Sequence, residues 1–389
     1  MAALETALAL HELAGDRVKL TLVAPATDFV YRPVAVLEPF VRSPPRHLPL
    51  AKVAAELNAA LEHDTVAAVD CDRRVLRTGG QRELPYDALV IAVGARTGEV
   101  LPDAVAMDPS RMEELNRLIE EIESGSVRSL AFVAPKPTWP LPVYELALLA
   151  RERARAKSVD LDVTIVTAEQ RPLAVFGESV SAALTGLLAD AEIKLILGAQ
   201  AESSSGELIV HPGERRLRFD RVVSVPRLVG PAIAGLPADA DGFLPITPHC
   251  EVSGTERVYA AGDATYFPVK FGAIAAQQAD AAASSIAALA GASTEPAPFD
   301  GVVHGTLLNG RDDRRLYFTA RIEGGVAQDS RTSETPTSSP EAKIAARYLG
   351  PYLDKLWAQG PRWVAGQLSW EATLARLSKQ ASSPPESHV

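Results

Sequence analysis

The sequence predicts an α/β fold made of two units on parallel sheets, the second inserted in the first, with a C-terminal α+β cap. Two continuous apolar segments, 88–93 and 129–134, are typical of strands buried on both faces of a parallel sheet. The order strand, turn, helix, strand over 129–167 indicates a βαβ unit, whose strands are parallel. The predicted boundaries are 1–105 with 240–300 for the first unit, 106–239 for the second, 301–380 for the cap, and 381–389 for a disordered tail.

Composition excludes several classes of protein. The chain has 389 residues, a net charge of −10 and only two cysteines. An acidic chain is a poor nonspecific nucleic-acid binder, and two cysteines build neither a disulfide scaffold nor a cysteine-ligated metal site. No uninterrupted apolar run reaches the roughly 18 residues that a membrane-spanning helix needs. The seven histidines form no metal-binding or Ser/His/Asp pattern, so we expect no metal. The N-terminal segment MAALETALAL lacks the features of a signal peptide, so we expect a cytoplasmic protein.

The first unit begins with a helix over 2–13 and a strand over 18–23. Its further predicted elements are a loop with large side chains at 29–33, a helix over 50–61, short strands over 64–84, the buried strand 88–93, a strand over 258–261, and a helix over 273–290.

The second unit alternates strands and helices. Helices are predicted at 110–124, 143–157 and 179–190, strands at 129–134, 162–167 and 193–197, and a small meander at 207–211, 217–219 and 221–225. The cap is predicted to hold antiparallel strands at 302–308, 315–322 and 325–328, a Ser/Thr/Pro-rich loop at 330–340, and helices at 341–357 and 361–377.

The most informative motif is the segment 258–280, VYAAGDATYFPVKFGAIAAQQAD. An apolar strand leads to Gly262-Asp263, and a helix starts after Gly272. A helix N-terminus carries partial positive charge and stabilises a nearby anion. A Gly-Asp turn between a strand and a helix is also common without any ligand. A second motif, YDALVIAVGAR at 86–96, ends a buried strand at Gly94, where a missing side chain permits close approach of another group.

These two motifs, in this order and with a nucleotide-binding pattern between them, resemble those of the NAD(P)/FAD-dependent pyridine nucleotide–disulfide oxidoreductase superfamily. The chain looks most similar to the branch of type II NADH dehydrogenases and sulfide:quinone oxidoreductases. The resemblance implies two Rossmann-like dinucleotide-binding domains, FAD in the first, NAD(P)H in the second, and hydride transfer to the flavin.

The resemblance also implies which residues bind the cofactors. Asp263 would hold the ribityl chain, and Gln277 or Gln278 would contact the flavin ring. The other predicted cofactor-binding residues are Tyr31, Arg32, Pro33, Gly94, Gly262, Lys270, Gly272, Ala273 and, near the nicotinamide nucleotide, Glu169. Glu145 is a candidate for the family's glutamate near the nicotinamide, or else an exposed glutamate in the first turn of a helix. The neighbouring Arg171 leaves the choice between NADH and NADPH open.

The chain departs from the family pattern at both phosphate-binding turns. The family's first strand and Gly-rich turn would precede Ala2, which leaves three interpretations open: a start upstream of Met1, a shortened chain, or weak or absent FAD binding. After the strand 129–134 the chain has PKPTWPLP in place of a Gly-rich turn. Four prolines provide no backbone N–H for a pyrophosphate.

The two cysteines argue against thiol chemistry. Cys71 and Cys250 match neither a C-x-x-C pair nor the widely separated pair expected of a sulfide-oxidising enzyme. The predicted function is therefore an FAD-dependent oxidoreductase that passes electrons from NAD(P)H to a non-thiol acceptor such as a quinone. The alternative is a degenerate flavoprotein fold kept as a binding or regulatory module without turnover.

Apolar residues near the C-terminus raise the question of a membrane surface or a dimer. Leu349, Leu353 and Trp357, followed by Trp363 and Trp370, would line one helical face. Such a face fits peripheral contact with the inner face of the membrane, packing on the first unit, or a homodimer contact; packing or a dimer is favoured because acids and prolines interrupt the basic residues.

Overall fold

The computed structural model describes residues 1–32, 35–41, 45–108, 111–136, 138–204, 206–311, 316–335 and 345–357. Its α-helices are Ala2–Ala14 (α1), Glu38–Val41 (α2), Leu50–Glu56 (α3), Met112–Glu123 (α4), Leu141–Ala156 (α5), Glu178–Asp190 (α6), Gly272–Leu289 (α7) and Leu349–Trp357 (α8).

The strands fall into several small sheets and one larger one. In chain order they are Thr21–Val23 (β1), Asp28–Tyr31 (β2), Arg46–Pro49 (β3), Ala60–Glu62 (β4), Val66–Asp70 (β5), Val75–Thr78 (β6), Glu83–Pro85 (β7), Leu89–Ile91 (β8), Arg96–Thr97 (β9), Val105–Ala106 (β10), Ser129–Ala134 (β11), Asp162–Thr167 (β12), Lys194–Ile196 (β13), Gln200–Ser204 (β14), Glu207–His211 (β15), Arg215–Leu217 (β16), Arg221–Ser224 (β17), Leu228–Val229 (β18), Val258–Ala260 (β19), Val302–Leu307 (β20), Leu316–Glu323 (β21) and Val326–Ser333 (β22).

A five-stranded parallel sheet forms the centre of the second unit. Its strand order is β10-β17-β11-β12-β13, and Phe132 in β11 pairs with Ile165 in β12. Strand β12 has the predicted bounds 162–167, and every residue from Val163 to Thr167 is buried. The prediction that 221–225 belongs to the meander is wrong, because β17 lies inside the parallel sheet, and the meander is instead β14-β15-β16.

The first unit contains two parallel strand pairs, β1 with β4 and β8 with β19. Helices α1 and α7 pack against each other through small residues, including Ala9 and Ala282, which are fully buried. Small side chains let two helix backbones approach closely, so the alanine-rich sequence of α7 follows from its position. The predicted helix 50–61 ends early: α3 stops at Glu56 and the chain returns as strand β4.

The C-terminal part forms an antiparallel sheet, β20-β21-β22, followed by α8. The sheet packs on the second unit: Leu307, Phe318 and Ile322 join one apolar cluster with residues of α5 and β12. The predicted loop at 330–340 is partly wrong, since β22 runs to Ser333, and the predicted helix at 341–357 begins only at Leu349. The helix predicted at 361–377, with Trp363 and Trp370, and the tail 381–389 lie outside the described residues.

The α/β fold class with two Rossmann-like units and an α+β cap is confirmed by this arrangement.

Candidate functional site

A buried glutamine of α7 forms a hydrogen bond with the turn after β19. Gly262 has a φ of +79°, which favours glycine, and its N–H donates a 2.8 Å hydrogen bond to Gln278 Oε1 in α7. Gln278 is fully buried, and its Nε2 is a buried donor without a hydrogen-bond partner. The turn therefore has a fixed shape, and an orphaned polar atom lies directly beneath it.

Two opposite charges flank this turn. The Lys270 ammonium lies 4.0 Å from the centre of the Phe243 ring, and it donates to the main-chain oxygens of Asp263, at 3.2 Å, and Thr265. Burial lowers the pKa of Lys270 to about 8, although the nearby Asp263 acts in the opposite direction. Burial raises the pKa of Asp263, and Lys270 partly offsets that effect.

The N-terminus of α1 meets the same turn. A Cβ added to Gly262 would lie 3.5 Å from Ala2 Cβ and 3.4 Å from Ala275 Cβ, so α1, the turn and α7 converge there. Gly94, which follows β8, has a φ of +74°, and a Cβ built on it would meet no described atom within 4 Å. Because β8 pairs in parallel with β19 and the Ala261 N–H donates to Ile91 O at 3.0 Å, the open space at Gly94 lies at the same end of this strand pair as the Gly262 turn.

These observations fit FAD. A convergence of helix N-termini suits a pyrophosphate, the orphaned Gln278 Nε2 is free to donate to an acceptor, and Gly94 leaves room for a close approach. Of the other predicted residues in this segment, Gly272 begins α7 and Ala273 is buried in its first turn. Gln277 points elsewhere: its Nε2 donates to Val302 O at 2.6 Å, which ties α7 to the C-terminal sheet.

Most of the segment 29–33, which was predicted to be a loop against the flavin, belongs to a strand that packs on the protein itself. Residues 28–31 form strand β2, Tyr31 is buried, and its ring centroid lies 5.5 Å from that of Trp357 in α8. Arg32 forms an ion pair with Glu38 at 3.5 Å, and Pro33 lies outside the described residues. Tyr31 and Arg32 therefore have protein partners, and α8 packs its apolar face inward on this hairpin.

The predicted nucleotide edge of the second unit is filled by the chain itself. After β11, Trp139 packs edge-on against Phe176, with ring centroids 5.6 Å apart, and Phe176 lies 4.8 Å from Phe318 of the C-terminal sheet. The Thr138 hydroxyl donates to Pro226 O at 3.0 Å. In open α/β sheets, ligands bind beyond the carboxyl ends of the strands, and here aromatic rings lie at that position.

Glu169, the predicted ribose-binding residue, already has donors. The Tyr144 hydroxyl in α5 donates a 2.6 Å hydrogen bond to Glu169 Oε2, and the nearby backbone of Leu173 and Ala174 also favours the charged carboxylate. Burial raises the pKa of Glu169, which these donors partly offset. The neighbouring Arg171 forms an exposed ion pair with Glu178.

Glu145 is a buried structural residue in this fold. Its side chain is 2% exposed, so the interpretation as an exposed first-turn glutamate is wrong. Its Oε1 accepts the Leu308 N–H at 2.9 Å, across a separation of 163 residues. This bond fastens the end of β20 to α5.

NAD(P)H does not fit this edge. The turn after β11 contains prolines and a buried tryptophan in place of a Gly-rich turn, and the acidic residue already accepts a hydrogen bond from Tyr144.

The two cysteines lie in unreactive surroundings. Cys71 is half-buried, its thiol donates weakly to Gly235 O at 3.8 Å, and burial raises its pKa. Burial raises the pKa of the fully buried Cys250 to about 12. A raised pKa disfavours the thiolate that nucleophilic or redox chemistry requires.

One buried acidic pair was missed by sequence reasoning. Glu5 in α1 is fully buried, accepts the N–H groups of Tyr348 (2.9 Å) and Leu349 (2.6 Å), and interacts with Asp280 in α7. The available signal was the position of each acid within an otherwise apolar helix. Tyr144 was also missed, because it looked like an ordinary apolar residue of α5.

Within the described ranges, no group of three or more His, Cys, Asp or Glu residues is arranged to hold a metal ion. The described helices include none that is long and apolar enough to cross a bilayer.

The resemblance to the pyridine nucleotide–disulfide oxidoreductase superfamily that was drawn from the sequence is confirmed by a family model that matches part of the chain. A model of the family "Pyridine nucleotide-disulphide oxidoreductase" matches residues 144–285. No curated protein matches the chain.

Three solved structures share the fold at low sequence identity. The sulfide:quinone oxidoreductase of the hyperthermophilic bacterium Aquifex aeolicus is 16% identical, with a TM-score of 0.76 over 100% of this chain and 97% of the other. A ferredoxin reductase from Rhodopseudomonas palustris is 18% identical, with a TM-score of 0.62 over 82% of this chain and 80% of the other. A chain in the structure of the Tetrahymena thermophila mitochondrial ATP synthase is 14% identical, with a TM-score of 0.67 over 98% of this chain and 95% of the other.

Proposed function

We propose that the chain is an FAD-dependent oxidoreductase that delivers electrons to a non-thiol acceptor, with a quinone as the preferred class. The observation that carries the proposal is the convergence of α1, the Gly262 turn and α7 beside the open space at Gly94. The fold shared with a sulfide:quinone oxidoreductase supports the acceptor class. In this proposal the flavin-binding unit comprises residues 1–105 and 240–300, and the second unit comprises residues 106–239. The residues that would hold the cofactor are Gly94, Gly262, Asp263, Lys270, Gly272 and Ala273.

Bound FAD supplies two-electron transfer, and the protein supplies its position and electrostatics. Gln278 fixes the Gly262 turn, on which Asp263 would hold the hydroxyl-bearing chain of the cofactor. Gly94 leaves the approach from β8 free of a side chain. The N-terminus of α7, at Gly272, would supply partial positive charge to the bound cofactor.

Thiol acceptors are disfavoured by the chain's own cysteines. Neither Cys71 nor Cys250 has the lowered pKa that disulfide exchange needs. A quinone requires no protein nucleophile, because it accepts two electrons and two protons to become a quinol.

The experiment loads the protein with FAD, reduces the flavin photochemically without oxygen, and mixes it with a soluble short-chain quinone or with an oxidised dithiol. Reoxidation whose rate rises with quinone concentration, and no reoxidation by the dithiol, is expected. Equally slow reoxidation of the flavin by the quinone and by the dithiol would contradict the quinone assignment.

A second candidate is a binding or assembly module without turnover. The shared fold with a chain in a mitochondrial ATP synthase structure favours it, because that fold also occurs within a large assembly. Protein that takes up no FAD at any concentration tested supports this candidate over the oxidoreductase.

A further inference from the structure

The carboxyl edge of the second parallel sheet is closed by the protein's own side chains. Two features of that edge make a nucleotide site: a turn whose backbone N–H groups bind pyrophosphate, and an acid that binds ribose. The chain has replaced the first by Pro135, Thr138, Trp139 and Pro140, and has given the second internal partners.

The aromatic contacts show what covers the edge. Trp139, from the turn after β11, contacts Phe176, from the loop after β12, and Phe176 contacts Phe318 of β21. All three rings are at most 9% exposed. They form a continuous apolar stack from the parallel sheet to the C-terminal sheet, and a dinucleotide would have to displace it.

Polar contacts fix the C-terminal sheet in this position. The Ser179 hydroxyl, at the start of α6, donates to Ser330 O at 3.0 Å, and Glu145 accepts the Leu308 N–H at 2.9 Å. A Cβ on Gly177 would lie 2.5 Å from Ser330 Oγ, so β22 lies directly on the loop after β12. The C-terminal sheet is therefore hydrogen-bonded to the second unit at both of its edge strands, β20 and β22.

We infer that the second Rossmann-like unit is a closed scaffold that binds no NAD(P)H, so that the flavin of the proposed function receives its electrons from a donor other than a pyridine nucleotide. The conclusion that the flavin has another electron donor rests on the proposed function, whereas the closure of the sheet edge is independent of it. Glu169 is then a structural residue whose carboxylate organises α5 and the 173–176 turn.

The test measures nucleotide binding directly, by equilibrium dialysis of NADH and NADPH against the full chain, and needs no flavin. No saturable binding up to about 1 mM is expected, which corresponds to binding weaker than about 4 kcal/mol. Saturable micromolar binding of either nucleotide overturns the inference. A dialysis result of either kind stands even if the protein fails to bind FAD and the proposed function falls.

Two matched variants report the role of Glu169. Glu169→Gln replaces the carboxylate that accepts the Tyr144 hydroxyl, and Glu214→Gln changes an exposed glutamate in the β15–β16 turn of the same unit. A fall in the unfolding midpoint for Glu169→Gln alone, with dialysis unchanged, is the expected result. Nucleotide binding by the wild type that Glu169→Gln abolishes and Glu214→Gln preserves would show an open ribose site and refute the closed edge.

Discussion

The Tyr144 hydroxyl donates a 2.6 Å hydrogen bond to the Glu169 carboxylate, and the two groups lie at the nucleotide edge of the second sheet. Tyr144 is fully buried, and burial together with the Glu169 charge raises its pKa far above the usual range of a phenol. The proton therefore stays on Tyr144 at every physiological pH, and the bond keeps one direction. The residue expected to recognise a ribose instead anchors α5.

Tyr144→Phe should destabilise the protein. The substitution removes the donor and leaves a buried carboxylate oxygen short of a partner, which costs about 1–3 kcal/mol. Chemical denaturation measures this change, with Tyr266→Phe, at a tyrosine that is 52% exposed, as the control. Equal midpoints for the two variants would show that the bond contributes nothing.

Gly94→Ala should weaken FAD binding much more than Gly15→Ala. Both glycines have positive φ, +74° and +53°, and an added Cβ at either meets no described atom within 4 Å. An alanine at a positive φ costs about 1–2 kcal/mol or more of stability, so both variants carry a backbone cost and the comparison uses their affinities for FAD. Only at Gly94 would the new methyl group meet the cofactor, so FAD titration should separate the variants by roughly tenfold or more. Equal FAD affinities of the two variants would place the flavin away from Gly94.

Protein stability should fall as the pH rises toward about 8, because of Asp280. Burial, followed by the charge of Glu5, raises the pKa of Asp280 to about 8, and burial also raises the pKa of Glu5. The groups facing this pair also include Arg347, Tyr348 and, near Tyr348, Glu12. A group whose pKa is raised on folding binds its proton more tightly in the native state, so stability is greatest below the unfolded pKa and declines until the folded pKa is passed.

Asp280→Asn should remove most of that slope. The amide carries no charge at pH 9, so the variant should then be more stable than the wild type by at least about 1 kcal/mol. Unfolding curves at pH 6, 7.5 and 9 measure the effect, with the exposed Glu295→Gln as the control. A wild-type slope retained in Asp280→Asn would assign the pH dependence to other groups.

Replacing both cysteines should leave electron transfer intact. Cys71 and Cys250 have raised pKa values and lie apart in the fold, in different apolar clusters. The Cys71→Ser, Cys250→Ala double variant should therefore show quinone reoxidation within about 2-fold of the wild type, since neither thiolate is available at neutral pH. A complete loss, with FAD still bound, would point to persulfide or disulfide chemistry.

The sequence predicts the local elements of this fold better than their long-range partners. The segments 129–134 and 162–167 are found as strands with those bounds, because apolar and β-branched residues with high strand propensity mark them locally. The place of β17 between β10 and β11 was not predictable, since its pairing with β11 joins segments about 90 residues apart.

The candidate site divides in the same way. Gly262 and Gly94 were found from short motifs whose backbone demands are local. The contacts of Tyr31 with Trp357 and of Glu145 with Leu308 depend on how the C-terminal part packs, which no local pattern records. Those contacts turned predicted binding residues into packing residues.

Gel filtration after incubation with excess FAD decides whether this fold holds the flavin. We expect flavin absorbance that co-elutes with the protein at close to one FAD per chain and is reduced in Gly94→Ala relative to Gly15→Ala. Wild-type protein that elutes folded and colourless, with all of the flavin in the small-molecule fraction, would contradict FAD binding at the Gly262 turn.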